Sequence, residues 1–182
     1  MGKFYGGEMV CAGLLYAPAL GLLYPSDPEM AYNQAYNLSI YDLGLAKDIS
    51  ALSAAMTSAA LTANGNQNEV LRVLKDIDPE GYFSSRLVGR SSYRVYELAL
   101  DIVAEAKDSL GTELKPNKTT LIPESSILRA YQLLDQNLQD MPFHAAEIHL
   151  QVLTAMLFND FKFKETMIFL VNYGRDNDTT AA

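Results

Sequence analysis

The stretch that decides the fold is ISALSAAMTSAALTA, at positions 49–63. Alanine, serine and threonine fill most of this run, and no charged residue interrupts it. Small side chains at helical spacing allow neighbouring helices to approach closely. We therefore predict a central helix of a bundle over residues 49–63, ended by Asn64 and Gly65.

Helical patterns continue on both sides of this run. Asp27 and Pro28 predict a helix start, since aspartate caps free N–H groups and proline suits the first helical position. That helix is expected to end near Gly44, and the uncharged stretch 9–25 is expected to be a buried helix broken by Pro18. Apolar residues at the 3.6-residue period predict further helices at residues 69–77, 91–110, 123–138, 143–158 and 163–171.

The chain lacks a convincing alternation of apolar and polar residues bounded by hairpin turns, so a sheet is not expected. Residues 81–90 instead resemble an irregular surface loop, in which Arg90 would be solvated. With 182 residues, the chain is long enough for one hydrophobic core. The prediction is an all-α, multi-helix bundle that forms a single helical domain over residues 1–182.

Composition limits the partners of this protein. The chain carries 22 acidic and 14 basic residues, a net charge of -8, which argues against a nucleic acid or an anionic membrane as partner. The uncharged stretch 9–25 is shorter than the ~20 residues that a membrane span needs. Cys11 is the sole cysteine, so no internal disulfide or thiolate cluster can form. We interpret it as a small buried apolar residue and predict a cytoplasmic protein.

The residues most suited to chemistry lie in VNYGRDNDTTAA, at positions 171–182. A buried helix is expected to end at Gly174, and Asp176, Asp178 and Thr179 follow. Carboxylate and hydroxyl oxygens are hard ligands that suit Mg²⁺ or Mn²⁺. Two aspartates two positions apart on a non-helical turn can converge on one ion. The alternative is that they serve the helix start alone, with Asp178 as the capping residue.

This terminal segment resembles the C-terminal signature of the ADP-ribosylglycohydrolase family, roughly V-N-x-G-G-D-x-D-[ST]-x-A-A. A weaker resemblance covers GLLYPSDP at positions 21–28 and the alanine-rich run that follows. The resemblance implies an all-α orthogonal bundle with a pair of Mg²⁺ or Mn²⁺ ions in a cleft. Carried over by position, the metal ligands are Asp176, Asp178 and Thr179.

The resemblance also implies an activity, the hydrolysis of the bond between C1″ of ADP-ribose and a modified side chain, or of related esters. The partner would be an ADP-ribosylated protein or a small molecule that contains ADP-ribose. Arg175 stands where the family usually has glycine, so either the backbone approaches a ligand less freely or the guanidinium contacts a phosphate. Glu8, beside Gly6 and Gly7, either lines the cleft or belongs to a loop.

The acidic cluster and the G-D-A-x-G segment that the family has upstream are absent from this sequence. We therefore expect a fragment truncated at both ends, with part of the metal site missing. A non-catalytic helical relative of the same fold is the alternative hypothesis. His144, Glu147 and His149 match neither common zinc-helix pattern. The two histidines are five positions apart, so we expect them to point in different directions, at the surface or the edge of the core.

Overall fold

The computed structural model describes residues 9–40, 42–85, 89–108, 123–141 and 143–181. Within these ranges the secondary structure is helical apart from one isolated bridge between Val10 and His144. The 3₁₀ turns described are Ala12–Leu15 and Tyr82–Ser84. The α-helices described are α1 (Ala17–Leu22), α2 (Pro28–Leu38), α3 (Leu45–Ala60), α4 (Gln67–Asp76), α5 (Ser91–Asp108), α6 (Glu124–Asp135), α7 (Ala145–Phe158), α8 (Phe163–Tyr173) and α9 (Asn177–Thr180). The all-α prediction is confirmed.

Helix α3 is the centre of the bundle, as the small-residue run predicts. It packs against α1, α2, α4, α5 and α7, and most of its residues are buried. The contact with α1 is especially close: a Cβ atom on Gly21 would lie 2.3 Å from the carbonyl oxygen of Ala54. A helix that is covered on every side needs small side chains, because each neighbour must reach its backbone.

The expected start of α2 is confirmed, whereas its expected end near Gly44 is wrong. The Asp27 carboxylate accepts a hydrogen bond from the Met30 N–H at 3.1 Å. The helix ends at Leu38, and Gly44, with φ of 51°, is the N-cap of α3.

Between α2 and α3, the side chain of Asp42 makes contacts that a continuous helix would not allow. It is 1% exposed and accepts hydrogen bonds from Ser50 Oγ at 2.7 Å and from the Gly13 N–H at 3.2 Å. These bonds join the turn Ala12–Leu15 to the start of α3. Near the chain start, Pro18 lies in the first turn of α1, where it is tolerated, and the break precedes it.

Arg90 is buried, so the expectation of a solvated loop residue is wrong. It is 2% exposed and forms an ion pair with Asp48, with Nη2 2.8 Å from Oδ1 and Nε 3.2 Å from Oδ2. Arg90 also donates to the Ile77 carbonyl. Tyr32 and Ser92 donate their hydroxyl protons to the same Asp48 carboxylate. The loop before α5 is thereby tied to α2, α3 and the end of α4.

The chain segment before α1 reaches the start of α7 through backbone hydrogen bonds. The Cys11 N–H donates to the Phe143 carbonyl at 3.0 Å, and the Ala145 N–H donates to the Met9 carbonyl at 2.7 Å. Helix α9 also packs against α7 and α8. Cys11 is thus held beside the last helix of the chain. No helix among the described residues is long and apolar enough to cross a membrane.

Candidate metal centre

The candidate centre lies on the turn that joins α8 to α9. Gly174 has φ of 88° and Arg175 has φ of 64°, so two successive residues adopt left-handed conformations. A Cβ on Gly174 would meet nothing within 4 Å, so the backbone angle rather than crowding requires glycine there. This pair of residues ends α8 and leads the chain into the N-cap of α9.

The turn brings the three predicted metal ligands together. Asp176 Oδ2 accepts a hydrogen bond from Thr179 Oγ1 at 3.0 Å. The carboxyl groups of Asp176 and Asp178 interact, since each shifts the pKa of the other. Asp176, and not Asp178, occupies the N-cap position of α9, because the helix begins two residues earlier than expected. Asp178 therefore sits within the first turn, where its side chain is exposed to solvent.

The two carboxyl groups have opposite shifts in pKa. Burial alone would raise the pKa of Asp176, but its hydrogen bonds, of which that from Asp178 is the largest, outweigh burial and lower the pKa. The hydrogen bond with Asp176 raises the pKa of Asp178. Such a split is typical of two carboxylates that repel each other when both are ionised. A cation between them would relieve that repulsion, which is the electrostatic requirement of a divalent-metal site.

Cys11 is an unpredicted neighbour of this cluster. Its Sγ donates to Asp176 Oδ2 at 3.3 Å and lies 3.6 Å from Thr179 Oγ1. Burial, as the largest cause, and the nearby Asp176 carboxylate raise the pKa of the thiol to about 11. Cys11 is 5% exposed, so its predicted burial is confirmed. It remains a protonated donor at neutral pH, and the oxygens remain the hard ligands of the cluster.

Arg175 points to α7, where it meets Glu147. Its Nε lies 2.9 Å from Oε1 and its Nη2 lies 3.1 Å from Oε2 of Glu147, so the two side chains form a bidentate ion pair. The Arg175 side chain is 29% exposed, while that of Glu147 is 2% exposed. Glu147 is a single acid in a mainly apolar helix, a pattern that indicates a paired, buried charge. That pattern is the sequence signal by which this partner could have been found.

A mainly apolar cavity of about 320 Å³ lies beside the cluster. Its wall includes Thr179 and Thr180 of α9, together with Met56 and His149. His149 is 4% exposed, deeper than the surface or core-edge position that the sequence suggested. His144 is the N-cap of α7 and accepts a hydrogen bond from the Ala146 N–H at 3.2 Å. The cluster therefore borders this apolar cavity on the side of Thr179.

The donors found here fit one side of a site for a hard divalent cation. Asp176, Asp178 and Thr179 supply two carboxylates and a hydroxyl, the oxygen ligands that Mg²⁺ and Mn²⁺ prefer. In the described ranges, no group of three or more His, Cys, Asp or Glu side chains is arranged to hold a metal ion. Glu8, the other predicted ligand-contacting residue, lies outside the described residues.

Comparison with known proteins gives one match. The sequence profile of the family described as ADP-ribosylglycohydrolase matches residues 2–182, nearly the entire chain. Neither the curated proteins nor the solved structures contain a match. The profile therefore covers the bundle as well as the turn that carries Asp176, Asp178 and Thr179.

Proposed function

The chain belongs to the ADP-ribosylglycohydrolase family, and we propose that it serves the metal-dependent hydrolysis of an ADP-ribosyl bond. The bond would join C1″ of ADP-ribose to a modified side chain or to a small molecule, as a glycoside or an ester. The observation that supports this proposal best is the convergence of Asp176 and Asp178, whose carboxyl groups shift each other's pKa in opposite directions, beside the Thr179 hydroxyl.

We propose Mg²⁺ or Mn²⁺ as the cofactor, with a pair of ions as the family resemblance implies. When bound, such an ion polarises the bond to be cleaved and lowers the pKa of water. Asp178 is exposed and reachable from solvent, so it would be the first ligand met by an entering ion. Thr179 holds Asp176 by a hydrogen bond and fixes the direction of that carboxylate.

For the substrate, we propose an ADP-ribosylated protein or an ADP-ribose-containing small molecule, in the cytoplasm. Arg175 is a proposed contact to the pyrophosphate: its side chain remains 29% exposed although it is bound to Glu147. A guanidinium carries five N–H donors, so a carboxylate and a phosphate can share it. Glu8 is retained as a second proposed substrate contact.

A non-catalytic binding protein of the same fold is the second candidate. The incomplete ligand set among the described residues favours it, as does Arg175 at a position where the family has glycine. In that case the chain would bind ADP-ribose or its conjugates without turnover. The two candidates share the fold and differ in metal-dependent hydrolysis, so one series of measurements separates them.

The first test is titration of Mn²⁺ together with ADP-ribose into the protein and into the Asp176→Ala/Asp178→Ala variant. We expect the variant to bind Mn²⁺ at least about tenfold more weakly, because it lacks both charged ligands. The matched control is Asp101→Ala/Asp108→Ala, which removes two exposed aspartates of α5 and should bind like the unchanged protein. Equal Mn²⁺ binding by all three proteins would show that Asp176 and Asp178 serve only the helix start.

The second test measures release of ADP-ribose from glycoside and ester conjugates in Mg²⁺. Hydrolysis that is abolished by EDTA and by Asp178→Ala is the expected result for the enzyme. Metal and ADP-ribose binding without release from any conjugate would identify the non-catalytic relative.

A further inference from the structure

Glu147 has an unusually complete set of hydrogen bonds for a buried carboxylate. Besides the two bonds from Arg175, Oε1 accepts from Gln151 Nε2 at 3.1 Å and Oε2 accepts from the Gln139 N–H at 2.8 Å. Each oxygen therefore has two donors. A charge that is 2% exposed needs such compensation, because its hydration has been lost.

The partner, Arg175, has a backbone conformation that an arginine rarely adopts. Its φ of 64° lies in the left-handed region, where any side chain beyond glycine is strained. Since Arg175 directly precedes Asp176, the backbone angle at Arg175 sets the direction in which the chain enters the candidate metal turn. The bonds to Glu147 anchor that strained residue to α7.

We infer that Glu147 and Arg175 form a positioning pair that orients Asp176 for cation binding. The inference rests on the proposed function, since it concerns the same metal turn. Glycine, which the family signature has at this position, adopts positive φ without strain and needs no anchor. The strained backbone of Arg175 is held in place by its bonds to Glu147, and the buried Glu147 carboxylate requires a cation beside it. The two residues are therefore interdependent, and either one alone is worse than neither.

The test is a double-mutant cycle that measures the Kd for Mn²⁺ from the signal of free Mn²⁺ in electron paramagnetic resonance. Glu147→Gln should weaken binding by about tenfold or more, the usual effect of losing a group that orients a metal ligand. Arg175→Gly should also weaken it, because a buried carboxylate is left without its cation. The double variant Glu147→Gln/Arg175→Gly should return to within about threefold of the unchanged protein.

The matched control is Glu69→Gln, which removes an exposed partner of Arg72 on α4 and should leave the Kd for Mn²⁺ unchanged. If Glu147→Gln fails to fold, Arg175→Lys takes its place in the comparison. Arg175→Lys keeps the charge but cannot form the second hydrogen bond of the bidentate pair. It should weaken Mn²⁺ binding by a smaller factor than Arg175→Gly. The inference is overturned if folded Glu147→Gln protein binds Mn²⁺ within about twofold of the unchanged protein, or if the double variant is as weak as the weaker single.

A readout without metal keeps this inference separate from the proposed function. Amide hydrogen exchange reports the hydrogen bonds of α9, such as that from the Thr180 N–H to the Asp176 carbonyl at 3.0 Å. If the unchanged protein binds no Mn²⁺, the metal proposal fails, but the positioning role is still tested. Exchange at Thr180 that is about tenfold faster in Glu147→Gln than in Glu69→Gln supports the pair, and equal exchange overturns it.

Discussion

His149 shows how far burial can change the chemistry of one side chain. Its Nε2 is buried and has no hydrogen-bond partner among the described residues. Burial, as the largest cause, lowers the pKa of the imidazole to about 4; Asp48 opposes this shift and Arg90 adds to it. The ring is therefore neutral at pH 7, and it stays neutral well into the acid range while the protein is folded.

This depressed pKa predicts a loss of stability in mild acid. The ordinary pKa of histidine is 6.5 and the folded value is about 4. Between these values the unfolded chain binds a proton that the folded protein does not, so the free energy of unfolding falls as the pH falls. From pH 7 to pH 5 the contribution of His149 should decrease by about 2 kcal/mol. Urea unfolding at the two pH values measures it.

His149→Gln should remove most of this pH dependence, since glutamine does not titrate. The control is His144→Gln, because His144 is only half-buried and caps α7. It should retain the larger part of the dependence. An unchanged difference between pH 7 and pH 5 in His149→Gln would show that other groups cause it.

Separation along the chain explains which site residues could be predicted from the sequence. Asp176, Asp178 and Thr179 are close along the chain, so their convergence follows from a single turn. Cys11 contacts Asp176 across 165 positions, and Glu147 contacts Arg175 across 28. Those partners depend on how α7, α8 and α9 pack, which local spacing does not specify. Glu147 was visible as an isolated acid in an apolar helix, whereas Cys11 gave no such signal.

At the scale of elements, the contact of α1 with α3 leaves no room for a side chain at Gly21. A Cβ on Gly21 would lie 2.3 Å from the Ala54 carbonyl oxygen and 2.7 Å from Thr57 Cβ. The first of these atoms is backbone and cannot rotate away, so the two helices must separate. Gly21→Ala should therefore lower the free energy of unfolding by about 2 kcal/mol, despite the better helix propensity of alanine.

Chemical denaturation measures this loss for α1, and Ala19→Ser is its matched control. Ala19 is exposed on the same helix, and the substitution also adds one heavy atom. It should change stability by less than about 0.5 kcal/mol. Equal stability of Gly21→Ala and the unchanged protein would mean that α1 is free to move away from α3.

Helix positions were predicted well where a long apolar period marks the helix. They were predicted poorly where contacts with other elements determine where a helix ends. The 3.6-residue period of α5 and the small residues of α3 are local patterns that predict both helices, because α5 must bury one face and α3 must bury all of its faces. The connection from α2 to α3 was misplaced, because Asp42 bonds to Gly13 and Ser50 in other elements. The end of α2 thus depends on tertiary contacts that the pattern of apolar residues does not contain.

At the scale of the whole molecule, the Asp48–Arg90 pair joins four parts of the bundle. Asp48 belongs to α3, Tyr32 to α2 and Ser92 to α5, while Arg90 also reaches the Ile77 carbonyl after α4. The sequence predicted a solvated Arg90, because a basic residue in an apparent loop is usually exposed. Its burial follows from the position of Asp48, which lies 42 positions earlier.

Arg90→Met should therefore destabilise the fold as a whole. It leaves the Asp48 carboxylate, 3% exposed, without its cation, and the expected cost is about 3–5 kcal/mol in the free energy of unfolding. Asp48→Asn/Arg90→Met should cost less than the sum of the two single changes, because the uncompensated charge has gone.

Urea unfolding at pH 7 provides these values, with Arg72→Met as the control. The Arg72 side chain is 64% exposed in its pairs with Glu69 and Asp76, so its loss should leave the free energy of unfolding almost unchanged. A cost for Arg90→Met as small as that for Arg72→Met, or strict additivity in the double variant, would contradict the network. Because Arg90 links α2, α3, α4 and α5 in the unchanged protein, its replacement by Met should shift the cooperative unfolding transition of the whole bundle as one step.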